Sequence, residues 1–414
     1  MSTPPHPVIV LGSDIGAVST LQTFRRRGVP CWVPDLVPYY ARLLGGARYH
    51  RIPDLQLAES ETVDALIRLS RTMARPPVLM PTYDGYAQLL ARHRDAFAEV
   101  AFPCTGAAEG VDIVADQRAF GRWADRHVPG LPECRCLDEF TALPDDWQPA
   151  VVKRAYHEWV GAAGEGRPLR EELRPFTFAL IRSPQDLSAL RQRAGPFSEY
   201  LAIQKHIPGP IENGYSVGLY ADRDCRIRTT FVSRKLRGWP LDSGTASSVQ
   251  NDVVPDAILD QVAMIVGSLR LSGVVEVEYK KDERTGALHL MEINPRCWTW
   301  IGITAGTEAD IAWSAYQDMI GVEIPAATMN QVPGTRCYAE VLRDGFTALA
   351  LYRWAAPTRA PGFVEWFPFV ASKRTSTLEF RNGDWRMLFA LPLETLFAWI
   401  GGKIRRHFGR RMRS

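Results

Sequence analysis

The sequence has little net charge and few lysines. Its 414 residues carry a formal net charge of +3 at pH 7, which is too small for the global basic field that favours nucleic acid. Charged residues make up 23% and hydrophobic residues 46% of the chain, a balance that excludes an acidic disordered protein and is typical of a globular protein of two or three domains. Partners must therefore be inferred from local features.

The sequence also lacks the features of membrane-spanning and zinc-binding proteins. No uninterrupted apolar stretch reaches about 20 residues, the length that spans a bilayer. The seven cysteines are odd in number, and their one close pair, Cys134 and Cys136, lacks the two-residue gap of a zinc knuckle. The apolar run near the N-terminus follows no basic segment. We therefore expect reduced thiols and a cytoplasmic protein.

The order of apolar runs and turn residues predicts a succession of units along the chain. An apolar run at 8–11, a helix over 19–27 and a second run at 30–33 predict a βαβ opening, and a further run at 77–80 extends it. Beyond about residue 325 the pattern is irregular and Pro-rich. The predicted organisation is an α/β unit over 1–115, an α+β unit over 116–325 and a small extension over 326–414.

The strongest local pattern is an acidic hairpin between Val274 and Asn294. In a strand, alternate side chains share a face, so Glu276 and Glu278 lie on one face and their apolar neighbours on the other. If the hairpin is symmetric about a turn at 282–286, Glu278 faces Glu292 and Glu276 faces Asn294. Facing carboxylates repel each other and destabilise a sheet, whereas a cation bound between them offsets this repulsion.

Two interpretations of this hairpin remain open on the alternation alone. Oxygen ligands of this kind suit Mg²⁺, which keeps several waters and completes its shell with substrate phosphates. The alternative is a solvated hairpin whose acids pair with Lys280, Lys281 or Arg284.

The motif Met-Glu-Ile-Asn-Pro-Arg at 291–296, with Glu278 fourteen residues before Glu292, resembles the metal-binding hairpin of ATP-grasp enzymes such as carbamoyl-phosphate synthetase and biotin carboxylase. The resemblance implies that Glu278, Glu292 and Asn294 hold two Mg²⁺ (or Mn²⁺) ions. It implies that Arg296 stabilises an acyl-phosphate, and it gives Glu276 at most an assisting role.

Other motifs along the chain resemble the same family in the right order. Lys153 ends a strand that resembles the phosphate-contacting lysine strand, with a surface lysine as the alternative. The glycines of 161–166 resemble a lid over the phosphates. The run at 201–209 resembles the linker that binds adenine, through the backbone of Gln204 and Ile207 and the side chain of Lys205.

Two further contacts follow from the resemblance. Glu212 is the nearest candidate for an acid that binds the ribose. Arg234 lies in a basic segment, 234–237, where the family contacts phosphates or an anionic substrate; a solvated basic edge is the alternative.

The resemblance spans roughly residues 8 to 325 and is greatest to the stand-alone carboxylate-amine ligases, which include D-aspartate ligase. It implies a Rossmann-like pre-ATP-grasp domain over 1–115, an ATP-grasp domain over 116–325 with a lid subdomain at about 150–205, and a C-terminal extension. The implied activity is ATP-dependent joining of a small-molecule carboxylate to an amine through an acyl-phosphate.

Two other functions compete with the ligase. One is an ATP-binding regulatory or assembly protein without catalysis, which would not need every metal ligand. The other is a nicotinamide-dependent oxidoreductase, which the missing G-x-G-x-x-G at the first turn argues against.

The C-terminal tail combines an apolar segment, 386–401, with a run of basic residues that begins at Lys403. Such a pairing can lie on the anionic inner face of a membrane, or the apolar segment can dock on the catalytic body. Peripheral membrane contact is therefore a hypothesis for this tail.

Overall fold

A computed structural model of the chain describes three β-sheets and the helices around them. The described residues are 4–36, 46–128, 134–140, 142–144, 147, 149–156, 173, 179–239, 245–328, 332–350 and 363–378. The glycine-rich stretch 161–166 and the apolar and basic tail beyond 378 lie outside them.

The first sheet has five parallel strands in the order β3-β2-β1-β4-β5. Its strands are β1 (Val8–Leu11), β2 (Cys31–Asp35), β3 (Ala47–Arg51), β4 (Val78–Pro81) and β5 (Phe102–Pro103). Its helices are α1 (Ile15–Arg25), α2 (Glu59–Arg71), α3 (Asp84–Arg92), α4 (Arg94–Phe97) and α5 (Ala108–Ala115). The central strands β1 and β4 are buried along their whole length, as expected for a parallel sheet covered on both faces. The predicted βαβ opening is confirmed.

The second sheet is small and antiparallel throughout, with the order β6-β9-β7-β8. Its strands are β6 (Cys134–Cys136), β7 (Ala150–Arg154), β8 (Ala179–Ile181) and β9 (Leu201–Lys205). Helix α6 (Gln117–His127) precedes it, and α7 (Pro184–Ala194) packs on one face. The Ser183 side chain caps α7 by accepting from the Asp186 amide.

The third sheet has eight strands and carries the acidic hairpin. Seven of them follow the order β14-β13-β10-β11-β12-β16-β17, and β15 pairs with β11. The strands are β10 (Gly214–Ala221), β11 (Ile227–Trp239), β12 (Thr245–Asn251), β13 (Gly273–Lys281), β14 (Leu288–Asn294), β15 (Ala327–Thr328), β16 (Cys337–Ala339) and β17 (Thr375–Thr377). Helices α8 (Asp256–Ser268) and α9 (Ile311–Met319) pack against its two faces.

The described part of the C-terminal extension is built into this third sheet. Strands β16 and β17 continue it beyond β12. Helices α10 (Val341–Ala350) and α11 (Phe363–Ala371) pack on one another beside them. Their attachment is a fully buried ion pair in which Arg237 of β11 donates to Asp344 of α10. Two serine hydroxyls and the indole N–H of Trp366 also donate to Asp344.

Candidate active site

The acidic hairpin forms in the predicted register. Glu276 of β13 lies opposite Asn294 of β14, and Glu278 lies opposite Glu292, with a bulge just after Glu278. The turn closes where the Gly286 amide donates to the Asp282 carbonyl. Both predicted pairs are therefore confirmed.

The acidic face of the hairpin is turned inward. Val275, Val277 and Tyr279 pack into the core beneath α8, so alternation directs Glu276 and Glu278 to the other face. Glu276 is only 1% exposed. The alternative of a solvated hairpin is therefore wrong for this residue, which lies in the interior of the protein.

Two lysines from other strands approach these acids. The Lys235 ammonium of β11 lies 2.6 Å from Glu278 and over the ring of Trp300 at 5.3 Å. Burial opposes the charge on Lys235, but Glu278 and the acids beside it outweigh burial, so the pKa of Lys235 is raised. Lys153 of β7 lies 3.8 Å from Glu292, which joins the small sheet to the large one at this point.

Glu276 lies at the most buried position of the cluster. Ser216 of β10 donates to it at 2.6 Å and the amide of Asn294 donates at 3.0 Å. Burial raises the pKa of Glu276 well above the ordinary value, and the neighbouring Glu278 raises it further. The site thus brings three carboxyl groups of the hairpin together beside two lysines.

Arg296 connects the hairpin to the N-terminal sheet. Its guanidinium donates to Asn294 Oδ1 at 3.0 Å and to Asp84, the first residue of α3, at 2.7 Å. Asp14, the N-cap of α1, lies close enough for the Arg296 charge to act on it. Burial nevertheless raises the pKa of Asp14 to about 6. The cluster therefore lies where all three sheets meet.

The residues present suit a divalent cation, although they do not surround one point. Among the described residues, no three His, Cys, Asp or Glu side chains converge as a ready metal site. The Lys235 ammonium and the Asn294 amide instead separate the carboxylates. Because Asn294 turns Oδ1 toward Arg296, metal ligation by that oxygen would require the amide to rotate. Glu278 and Glu292 nevertheless face each other across the hairpin, and carboxylate oxygens placed in this way suit a hard cation.

The predicted adenine linker is β9 and the residues after it. Gln204 lies on the middle strand of the small sheet, opposite Cys134 on one side and Val151 on the other. Its backbone groups are therefore directed to neighbouring strands, whereas its buried side-chain oxygen has no hydrogen-bond partner among the described residues. The side chain is the better candidate for a ligand contact than the predicted backbone.

Alternation separates the two lysines of this sheet. Lys205 lies opposite Ala150, which faces the small sheet's own core, whereas Lys153 and Gln204 share the other face. The structure therefore does not bring the Lys205 side chain together with Lys153. Ile207 is buried just beyond the end of β9.

Glu212 lies in a short helical turn and is unusually buried for a carboxylate. It lies in Ile211–Asn213, is 4% exposed, and neither carboxylate oxygen has a hydrogen-bond partner among the described residues. A buried acid without partners is costly, so a ligand hydroxyl or cation is the natural complement.

Arg234 does not join the acidic cluster. It lies opposite Tyr215 on the face that carries α8, and its guanidinium pairs with Asp252 at 2.6 Å. The next residue, Lys235, points to the acidic face. The sequence located the basic segment but not which of its side chains enters the site, because that depends on the pairing of β11 with β10.

Three participants have no signal in the local sequence. Ser216, Asp84 and Trp300 approach the cluster from segments far apart along the chain. The indole N–H of Trp300 is buried and without a hydrogen-bond partner among the described residues.

Comparison with solved structures identifies the fold. The chain is similar to L-amino acid ligase from Bacillus licheniformis, with 12% identity, coverage of 71% of this chain and 68% of that one, and a TM-score of 0.52. It is similar to N5-carboxyaminoimidazole synthetase from Staphylococcus aureus complexed with ADP, with 15% identity, coverage of 80% and 82%, and a TM-score of 0.57.

A third similar structure is the biotin carboxylase domain of 2-oxoglutarate carboxylase from Hydrogenobacter thermophilus, in complex with MgADP, ADP and bicarbonate. It shares 13% identity over 83% of this chain and 77% of that one, with a TM-score of 0.56. No family model and no curated protein matches the sequence. The structural neighbours are ATP-grasp enzymes, and the chain has their fold.

Proposed function

We propose that the protein is an ATP-dependent ligase that joins a carboxylate to an amine. ATP would phosphorylate the carboxylate to an acyl-phosphate, and the amine would displace phosphate to give an amide or peptide bond. The observation that carries this proposal is the convergence of Glu278, Glu292, Asn294 and Arg296 with Lys153 from another sheet.

The roles of these residues follow from their charges and positions. Glu278, Glu292 and Asn294 would hold Mg²⁺ or Mn²⁺, which when bound neutralises phosphate charge and aligns the transferred phosphoryl group. Lys153 would bind phosphate oxygens from the small sheet. Lys235 would hold Glu278 in place before the metal arrives.

Arg296 is the group best placed to stabilise an acyl-phosphate. Its side chain is 17% exposed, and Asp84 and Asn294 fix its orientation from two sides. A guanidinium held in this way stabilises developing negative charge without reorganising during the reaction. No side-chain nucleophile is needed, because positioning and charge stabilisation account for catalysis.

The nucleotide would extend from the acidic cluster along the small sheet. Gln204 offers a buried amide oxygen and Glu212 a buried carboxylate, the groups that an adenine amine and a ribose hydroxyl would satisfy. Ile207 would supply the apolar contact between them.

A screen of amino acids and small carboxylates for substrate-dependent ADP release tests the proposal. Once a substrate pair is found, Glu292→Gln and Lys153→Ala should each abolish turnover and leave the thermal unfolding temperature nearly unchanged. Glu283→Gln in the hairpin turn and Lys373→Ala are the matched controls, since both side chains are exposed. Near-normal ADP release from either site variant would contradict the assignment.

The same variants separate the ligase from a catalytically inactive ATP-binding regulator. A regulator would bind ATP in a thermal-shift assay, with Lys153→Ala weakening that binding, yet would release no ADP with any carboxylate and amine.

A further inference from the structure

The C-terminal helices α10 and α11 expose large apolar side chains on their outer side. Phe346 and Leu349 of α10 are 55% and 53% exposed, and Val364 and Phe367 of α11 are 86% and 61% exposed. Residues three apart lie on the same face of a helix. These four side chains, the apolar helical face, form two such pairs on helices that pack together.

The inner side of the same helices is fixed firmly to the catalytic sheet. Asp344 is fully buried with Arg237, and Trp366 donates to it at 3.0 Å. Phe369 packs with Leu236 beneath β16. The apolar helical face is therefore presented outward by a rigid support that is continuous with β11, the strand that carries Lys235.

The segments of sequence that adjoin this face are apolar, aromatic and basic. The residues that join α10 to α11 include Tyr352, Arg353 and Trp354, and a tail follows β17. The tail is apolar from 386 to 401, and no acid follows Glu394. Its last residues include Lys403, Arg405, Arg406, Arg410, Arg411 and Arg413.

This combination of apolar and basic residues favours one kind of binding partner over the others. Exposure of Val364 and Phe367 to water alone is unfavourable, so these side chains favour an apolar partner. The many cations in the sequence of the tail favour a partner that is also anionic. Insertion of the apolar side chains into the boundary of a bilayer, together with binding of the tail's Lys and Arg to anionic headgroups, would account for both features. Two weak attachments, one apolar and one electrostatic, together give stable peripheral binding.

We propose that the apolar helical face and the basic tail together dock the protein on an anionic lipid surface. None of the described helices is long and apolar enough to cross a bilayer. This inference does not depend on the proposed ligase activity.

Sedimentation of the full-length protein with lipid vesicles tests the proposal. The probes are vesicles of phosphatidylcholine alone and vesicles that also contain about 30% phosphatidylserine. The protein should sediment with the anionic vesicles and remain in solution with the neutral ones. Leu349→Ser/Val364→Ser should lower the partition coefficient about tenfold or more.

The controls use side chains of the same type elsewhere and charges in the tail. Val253→Ser/Val332→Ser replaces two valines that are 51% and 69% exposed on another part of the molecule, and it should partition as the wild type does. Arg405→Gln/Arg406→Gln should weaken binding about tenfold or more, and added salt should weaken it further. Thermal unfolding of each variant shows whether it folds.

Two outcomes would overturn the inference. One is equal sedimentation of the wild type and Leu349→Ser/Val364→Ser with anionic vesicles. The other is a wild-type dimer in light scattering that becomes a monomer in this variant while no protein binds lipid, which would assign the apolar helical face to a second copy of the chain.

Discussion

Replacing Asp84 by alanine should remove the contact between the N-terminal unit and Arg296. We expect this change to lower turnover and to leave ATP binding intact. The Asp84 carboxylate accepts from Arg296 at 2.7 Å, and the two side chains are 8% and 17% exposed. Removing it leaves a partly buried guanidinium with fewer acceptors. We expect unfolding to become easier by about 2–3 kcal/mol.

The effect on turnover follows from the role of Arg296. If Asp84 holds the guanidinium toward the acyl-phosphate, Asp84→Ala should lower kcat by about 10- to 100-fold, which corresponds to about 1.4–2.7 kcal/mol of transition-state stabilisation. The KM for ATP should change by less than about twofold, because none of the proposed adenine and ribose contacts involves Asp84. Asp84→Asn keeps an acceptor oxygen and loses the charge, so it should fall between the alanine variant and the wild type.

The assays are substrate-dependent ADP release for kcat and KM, and urea unfolding for stability. Glu139→Ala is the control, because Glu139 also pairs with an arginine, at 3.6 Å, but on the surface, where the two side chains are 54% and 40% exposed. It should cost less than about 1 kcal/mol and leave kcat unchanged. A double-mutant cycle between Asp84→Ala and Arg296→Ala with no coupling energy would refute the reasoning, as would an unchanged kcat in Asp84→Ala.

Two further predictions concern buried charges. Asp344→Ala leaves Arg237 charged and unpaired in the interior, so urea unfolding should show a loss of about 3–5 kcal/mol; a loss below about 1 kcal/mol would contradict the buried pair. Burial raises the pKa of Asp14 to about 6, so between about pH 4 and 6 the folded protein holds a proton that the unfolded chain has lost, and stability falls as pH rises. Asp14→Asn should remove about 1–2 kcal/mol of that decline, somewhat less than the full shift implies because Asp14 is partly exposed. Identical pH profiles of unfolding for the two proteins would exclude the shift.

The hairpin could be predicted from sequence because every determinant is local. Strict alternation fixes the face of Glu276 and Glu278, and the short turn fixes the register that brings Glu292 opposite Glu278. The capping of α7 by Ser183 is local in the same sense.

The rest of the site depends on contacts between residues that are far apart in the sequence, and local sequence patterns do not reveal such contacts. Asp84 meets Arg296 across 212 residues, and Ser216 meets Glu276 across 60. Whether Arg234 or Lys235 enters the site depends on how β11 pairs with β10. The sequence pattern of β11 alone does not show this pairing. The strands of the C-terminal extension are two or three residues long, too short to show a period.

The pairing of β16 with β12 has a consequence for how the chain can be divided. A polypeptide that ended near residue 325 would expose the backbone donors and acceptors of β12 along an open sheet edge, a template for association between chains. It would also leave Arg237 without its carboxylate inside the protein. Truncation near residue 325 should therefore yield protein that aggregates. A gene fusion or domain exchange that keeps the third sheet intact would have to include the chain as far as the end of β17.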